Sequence, residues 1–82
     1  MDRILLVEDD AALVRTLTQF LLEEGFEITS ATGQSRAVSL MEIETFDLAL
    51  VDISLADGNG FAVCSAAKTQ GISVIFSDSV LR

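Results

Sequence analysis

The order of apolar and polar residues predicts an α/β fold, in which a parallel β-sheet carries helices on its faces. Short apolar runs are typical of strands buried on both sides, and longer segments repeat apolar residues every three or four positions, as amphipathic helices do. The two kinds of segment alternate in the order βαβαβαβ. Such units are joined by right-handed crossovers, so we expect the strands to be parallel. The length of 82 residues predicts one compact domain, residues 1–82.

Four segments have the pattern of strands. The first, residues 3–8, is an apolar run that ends in acids, and the third, residues 46–51, is followed by another acid. The second, residues 26–31, alternates apolar and polar side chains, which predicts an edge strand with one less buried face. The fourth strand is expected at residues 72–76.

Three segments between these strands are predicted to be helices, at residues 11–24, 34–44 and 61–70. Gly25 and Gly71 follow the first and third helices and can adopt the left-handed conformation that ends a helix. The start of the second helix has two candidate caps, Thr32 and Ser35.

Helical spacing also predicts which side chains are buried. The residues expected in the core include Leu13, Leu17, Phe20, Leu21, Ala37, Leu40, Met41 and Phe61. Cys64, the single cysteine, is expected to be a small buried hydrophobe, and Lys68 to lie on a solvated helix face.

Acidic residues follow the first and third predicted strands. The triplet Glu8-Asp9-Asp10 ends the first, and Asp52 follows the third. A strand order of 2-1-3-4 would make these strands neighbours and place the reversal of winding between them, where ligands of such sheets bind. Carboxylates gathered there need a proton or a cation, and hard oxygen ligands suit Mg²⁺ or Mn²⁺.

Composition excludes several other classes of function. A net charge of −8 argues against a nucleic-acid partner, which needs clusters of Lys or Arg. With no histidine and one cysteine, an internal disulfide, a thiolate zinc site and a histidine-based triad are excluded. No apolar stretch is long enough for a membrane span, so we expect a cytoplasmic protein without a membrane partner. A free-standing enzyme is not expected, because there is no general base outside the acid cluster.

Two of the acids have a purely structural alternative. Asp10 directly precedes the first helix, so capping is favoured over metal binding there. Asp52 is separated from the next helix by Asp57-Gly58-Asn59-Gly60, so a functional role is favoured for it. These four loop residues are interpreted as turn chemistry without a catalytic role.

Three motifs resemble the receiver domain of bacterial two-component response regulators. They are Ile4-Leu5-Leu6-Val7-Glu8-Asp9-Asp10, Asp47-Leu48-Ala49-Leu50-Val51-Asp52-Ile53-Ser54-Leu55 and Asp57-Gly58-Asn59-Gly60-Phe61. The resemblance covers residues 3 to about 76. It implies a flavodoxin-like, three-layer fold, here partial, without the family's last strand and helices.

By this resemblance, Asp52 would accept a phosphoryl group from a partner histidine kinase. Asp9 and Asp52 would bind Mg²⁺ directly, Glu8 would act mostly through water, and the backbone carbonyl of Ser54 would complete the protein ligands.

The chain also departs from the family pattern. The sequence stops before the family's phosphoryl-binding lysine, for which Lys68 is no counterpart, and Asp78 falls at the position of the switch hydroxyl, between Ser77 and Ser79. Ala56 stands where a proline is common, and residues 77–82 form a divergent tail. A second hypothesis is therefore a receiver fragment that acts as an assembly unit without phosphotransfer. A missing fifth strand would leave the fourth as a bare edge, which predicts homo-oligomers.

Overall fold

The computed structural model of the protein describes residues 2–52 and 58–77. Seven elements follow one another in the predicted alternation, with bounds within about two residues of those expected. They are β1 (Arg3–Val7), α1 (Ala11–Glu23), β2 (Glu27–Ala31), α2 (Gln34–Ile43), β3 (Leu48–Asp52), α3 (Gly60–Thr69) and β4 (Ser73–Ser77).

The four strands form one parallel sheet in the order β2-β1-β3-β4. This confirms the predicted order, with β1 and β3 side by side in the middle. The register aligns Val7 with Ala31 on one side and with Val51 on the other, and Val51 with Phe76. The strands that precede Glu8 and Asp52 therefore end level with each other.

The main core lies between the sheet and the two helices α2 and α3. Strand residues Leu5, Val7, Ala49 and Val51 point to that side. The helices meet them with Ala37, Leu40, Met41, Val63 and Ala67, all buried. Right-handed crossovers place α1 on the opposite face, where Ile4 and Leu6 are almost completely buried.

Two aromatic residues that were predicted in the core are exposed instead. Phe20 on α1 is 58% exposed, and α1 has no fully buried residue; Leu13, Leu17 and Leu21 are half-buried. Phe61 on α3 is 63% exposed, because that helix buries a different stripe. The buried stripe consists of Gly60, Val63, Cys64 and Ala67. The Phe61 ring contacts the Phe76 ring, with centroids 5.4 Å apart.

The ends of the helices follow the expected chemistry except at α2. Gly25 and Gly71 have φ values of 95° and 76°, which confirms both as left-handed stops. Capping of α2 by Thr32 or Ser35 was a wrong prediction, because Gly33 occupies the cap position and has no side chain to offer. Asn59 caps α3, since its Oδ1 accepts a hydrogen bond from the Phe61 N–H at 2.7 Å.

None of the helices in residues 2–52 and 58–77 has the length and apolar character that a membrane crossing requires.

Candidate functional site

Three of the predicted site residues meet at the carboxyl ends of the two central strands. Glu8 and Asp9 follow β1, and Asp52 ends β3. One carboxylate oxygen from each of the three lies within 4.8 Å of the other two. Glu8 and Asp52 are completely buried, whereas Asp9 is half-buried and leaves the cluster open on one side. Ser54, the fourth predicted ligand, lies outside the described residues.

Glu8 is held by the backbone that leads into α1. Its Oε2 atom accepts hydrogen bonds from the N–H groups of Asp9, at 3.0 Å, and of Asp10, at 3.1 Å. The Glu8 N–H donates to the carbonyl of Ala31 at 3.0 Å, which extends the pairing of β1 with β2 by one residue. These contacts fix the buried Glu8 carboxylate at the carboxyl end of β1. The sequence did not predict that Glu8 would be held in this way.

The surroundings of Glu8 disfavour its ionised form. The pKa of Glu8 is raised from 4.5 to about 7, mainly because the side chain is buried, and the backbone hydrogen bond from Asp10 lowers it only in part. Hydrogen bonds with the side chains of Asp9 and Asp52, and the charge of Asp52, contribute to the same rise. Near neutral pH the cluster is therefore poised between holding a proton and holding a cation.

Asp10 has the capping role that the sequence favoured. Its Oδ1 atom accepts hydrogen bonds from the N–H groups of Ala12, at 3.0 Å, and Leu13, at 3.2 Å, at the beginning of α1. Asp10 is not among the three residues whose oxygens converge. The two adjacent acids therefore have different roles: Asp9 belongs to the carboxylate cluster, and Asp10 caps α1.

A contact between α2 and the loop after β3 borders the same edge of the sheet, and the sequence offered no signal for it. The Gln34 Oε1 atom accepts a hydrogen bond from the Asn59 N–H at 2.9 Å. Gly58, with a φ of 92°, passes so close to Gln34 that a Cβ atom at position 58 would overlap the Gln34 side chain. The described part of the loop is thereby tied to the start of α2.

The single lysine lies away from the acids. Lys68 is exposed in the last turn of α3. Because α3 begins at the carboxyl edge of the sheet and runs back towards the other edge, Lys68 is carried to the end opposite the carboxylates. This agrees with the expectation that Lys68 lies on a solvated face.

The donor set fits a small hard dication. Three carboxylates on one side of an open cluster can supply oxygen ligands while water completes an octahedron, which is the arrangement that Mg²⁺ favours. Among the residues that the structure describes, no imidazole or thiolate takes part in the cluster.

Comparison with known proteins gives consistent matches. The family model for the response regulator receiver domain matches residues 4–78. The alginate biosynthesis transcriptional regulatory protein AlgB of Pseudomonas syringae pathovar tomato is 37% identical over 68 residues, which are 83% of this chain and 15% of AlgB. The chain thus spans less than a sixth of that relative.

Solved structures match over most of the chain. A CheY-like receiver domain protein from Methanospirillum hungatei is 36% identical with a TM-score of 0.86, over 93% of this chain and 62% of that one. TrrA from Thermotoga maritima, in complex with Mg²⁺ and BeF, is 29% identical with a TM-score of 0.86, over 100% of this chain and 75% of TrrA. The chain belongs to the response regulator receiver domain family of two-component signalling.

Proposed function

We propose that this receiver module accepts a phosphoryl group on Asp52 from a histidine kinase, with Mg²⁺ or Mn²⁺ as cofactor. The observation that carries the proposal is the convergence of the Glu8, Asp9 and Asp52 carboxylates within 4.8 Å at the end of the two central strands. Asp9 and Asp52 would bind the metal directly, and Glu8 mostly through water. The Ser54 carbonyl belongs to the proposed ligand set, although residue 54 lies outside the described residues.

The chemistry assigns a distinct task to each acid. A carboxylate oxygen of Asp52 attacks the phosphorus, the P–N bond of the phosphohistidine donor breaks, and the departing imidazole takes up a proton. A dication bound here would neutralise the charge that gathers on the phosphoryl oxygens. Glu8 gives up the proton that its raised pKa allows it to hold, so that its carboxylate can help to hold the ion.

Structures of relatives support this chemistry. TrrA was solved with Mg²⁺ and BeF, and the MaeR response regulator, 31% identical to this chain with a TM-score of 0.87, with beryllium trifluoride. Beryllium fluoride resembles a phosphoryl group in shape and charge. Both structures share the fold in which the present carboxylates are gathered.

Phosphotransfer can be tested by intact-mass spectrometry after incubation with Mg²⁺ and acetyl phosphate. The proposal predicts a gain of one phosphoryl group by the natural chain, no gain by Asp52→Asn and an undiminished gain by Asp10→Asn, which removes only a capping charge. An equal gain by Asp52→Asn would contradict the assignment of Asp52.

The alternative function is an assembly unit that keeps the fold without phosphotransfer. The observation that favours it is the position of Lys68, which is carried away from the carboxylates and leaves them without that charge. Under this alternative, the folded protein would gain no phosphoryl group, while metal binding could persist.

We also infer that the chain is a single receiver module, residues 1–82, which acts as a phosphoacceptor and not as a free-standing enzyme. A cytoplasmic location is part of this proposal, because its relatives are named as transcriptional regulators. The net charge of −8 favours a protein partner over nucleic acid or a membrane surface.

Homo-oligomers through the edge of β4 are a further part of the proposal. Among the described strands, β4 lies at the outside of the sheet, and the N–H and C=O groups on its outer side offer pairing positions for another strand. Pairing predicts slower hydrogen exchange of the β4 amides as the protein concentration rises. A monomer at micromolar concentration, with exchange independent of concentration, would contradict it.

A further inference from the structure

The end of β2 and the start of α2 are bonded to the backbone on both sides of the carboxylate cluster. On one side, the Glu8 N–H donates a hydrogen bond to the Ala31 carbonyl at 3.0 Å. On the other side, the Oε1 atom of Gln34 accepts a hydrogen bond from the Asn59 N–H at 2.9 Å. Asn59 stands at the far end of the loop that begins after Asp52. One short segment therefore holds the chain that follows β1 and the chain that follows β3.

Gln34 belongs to a part of the fold that is itself firmly held. It is the first residue of α2, and this helix buries Ala37, Leu40 and Met41 against the sheet. The cap position before it is Gly33, which has no side chain to bond to the helix. Because Gln34 reaches out to the loop from a helix that is anchored in the core, the loop is held in a fixed position relative to the sheet.

The end of the loop that contacts Gln34 has little room to shift. A Cβ atom at position 58 would overlap the Gln34 Cβ atom and lie 2.6 Å from its Oε1 atom, so the Gly58 backbone is packed directly against this side chain. Asn59 is held a second time, because its Oδ1 atom accepts a hydrogen bond from the Phe61 N–H at 2.7 Å. The contact therefore joins the start of α2 to the start of α3.

We propose that Gln34 is a positioning residue for the acidic site. By holding the far end of the loop after Asp52, it keeps the backbone beside the phosphoacceptor in the arrangement that Mg²⁺ and the phosphoryl group require. This inference rests on the proposed function, in which a backbone carbonyl of that loop helps to hold the metal. Ordering a free loop costs free energy for each residue, so a loop that is fixed before the metal arrives favours binding. Gln34 acts through the loop backbone and not by contact with the metal.

Thermodynamic linkage gives the proposal a measurable signature. If the hydrogen bond between Gln34 and Asn59 favours metal binding, bound metal must favour that hydrogen bond by the same factor. A contact that only stabilises the fold has no such dependence on the metal. The Asn59 amide donates the hydrogen bond, so its hydrogen exchange reports how often the contact opens.

The first test is hydrogen exchange of the Asn59 amide with saturating Mg²⁺ and with a chelator. In the natural chain, Mg²⁺ should slow this exchange by about threefold, the factor by which the contact favours metal binding. Gln34→Met keeps the length of the side chain but lacks the acceptor oxygen, so its Asn59 amide should exchange at a rate that Mg²⁺ does not change. The natural chain needs no substitution, and equal exchange with Mg²⁺ and with chelator would overturn the proposal even if a variant failed to fold.

The affinity for Mg²⁺, measured by calorimetric titration, separates positioning from a purely structural role. Gln34→Met should bind Mg²⁺ about threefold more weakly than the natural chain, in line with the loss of one hydrogen bond. Gln34→Glu retains an acceptor oxygen and should bind at least as tightly as the natural chain. Gln19→Met makes the same substitution at an exposed glutamine of α1 and should leave the affinity unchanged. Circular dichroism establishes that each variant is folded, and equal affinities of Gln34→Met and Gln19→Met would overturn the proposal.

Phosphoryl uptake distinguishes this inference from the proposed function. With acetyl phosphate and with Mg²⁺ well below saturation, Gln34→Met should gain its phosphoryl group about threefold more slowly but to the same final extent, because Asp52 is intact. No uptake by the natural chain would contradict the proposed function, and the Mg²⁺ affinities would still decide the role of Gln34. Uptake by the natural chain and by Gln34→Met at the same rate would overturn only the role of Gln34.

Discussion

At the scale of single residues, neighbouring acids take different roles because the backbone holds them in different surroundings. Glu8 is buried at the end of β1 and accepts two backbone hydrogen bonds, whereas Asp10 caps α1 in a partly exposed position. The cap could be predicted, since it depends on local sequence. The burial of Glu8 could not, because it depends on β2 and β3 lying on either side of β1.

The raised pKa of Glu8 predicts that the metal-free protein loses stability as the pH rises from about 4.5 to 7. In this range the unfolded chain has already released the proton that the folded chain still holds, so the folded state is favoured at low pH. The full cost at pH 8 is on the order of 3 kcal/mol for a shift of this size.

Glu8→Gln should remove most of that loss. Urea unfolding of both proteins at pH 5 and pH 8, with a chelator present, measures the difference. The assignment would be wrong if the natural chain and the glutamine variant lost the same free energy of unfolding between the two pH values.

Replacing Asp10, which caps α1, should lower stability without changing the affinity for Mg²⁺. Asp10→Ala should lower the free energy of unfolding by about 1 kcal/mol, because two N–H groups of α1 lose their acceptor. Its affinity for Mg²⁺ should stay close to that of the natural chain, while Asp9→Ala should bind Mg²⁺ at least tenfold more weakly, which isothermal titration can measure. Equal losses of affinity would mean that Asp10 is also a ligand.

At the scale of elements, the loop before α3 passes close to the start of α2 at Gly58, so a larger residue at this position should destabilise the fold. Gly58 and Gly25 both have positive φ, but only at Gly58 would a Cβ atom meet another side chain, that of Gln34. Gly25→Ala should cost about 1 kcal/mol from the backbone conformation alone. Gly58→Ala should cost at least about 2 kcal/mol because steric overlap is added.

Denaturant unfolding of the two alanine variants tests this difference. Equal costs would indicate that Gln34 moves aside freely and does not fix the loop.

The positions of helices and strands could be predicted from the sequence because their periodicity is local. Which of their apolar side chains are buried by a neighbouring element could not be predicted. In α3 the spacing of Gly60, Val63, Cys64 and Ala67 defines a buried stripe, and Phe61 lies one position outside it despite its size. Phe20 belongs to an apolar stripe whose outer part meets no neighbouring element among the described residues. Periodicity reports which residues could be buried, whereas burial requires a partner surface.

At the scale of the whole molecule, the strand order was predictable because two independent features agreed on it. The acids followed only the first and third strands, and the order 2-1-3-4 made those strands neighbours. The convergence of Glu8, Asp9 and Asp52 followed from that order. The tie between Gln34 and Asn59 did not, since it depends on side-chain reach between separate elements.

A metal held between two central strands should stabilise the whole fold. Mg²⁺ at 100 times its dissociation constant should add about 2.7 kcal/mol by mass action. Asp52→Asn should reduce the gain, and the gain should be larger at pH 8 than at pH 6, because bound metal must displace the proton on Glu8. Thermal unfolding with and without Mg²⁺ measures both effects; an equal gain in Asp52→Asn would exclude Asp52 as a ligand.

The most direct test of the central claim is to locate the phosphoryl group within the chain. The protein is incubated with Mg²⁺ and acetyl phosphate and then treated with borohydride, which reduces an acyl phosphate to an alcohol and so converts a phosphorylated aspartate to homoserine. Peptide sequencing by mass spectrometry should find homoserine at position 52, and none when Mg²⁺ is replaced by a chelator. Homoserine at another aspartate, or none in the folded, Mg²⁺-loaded protein, would contradict the assignment of Asp52 as phosphoacceptor.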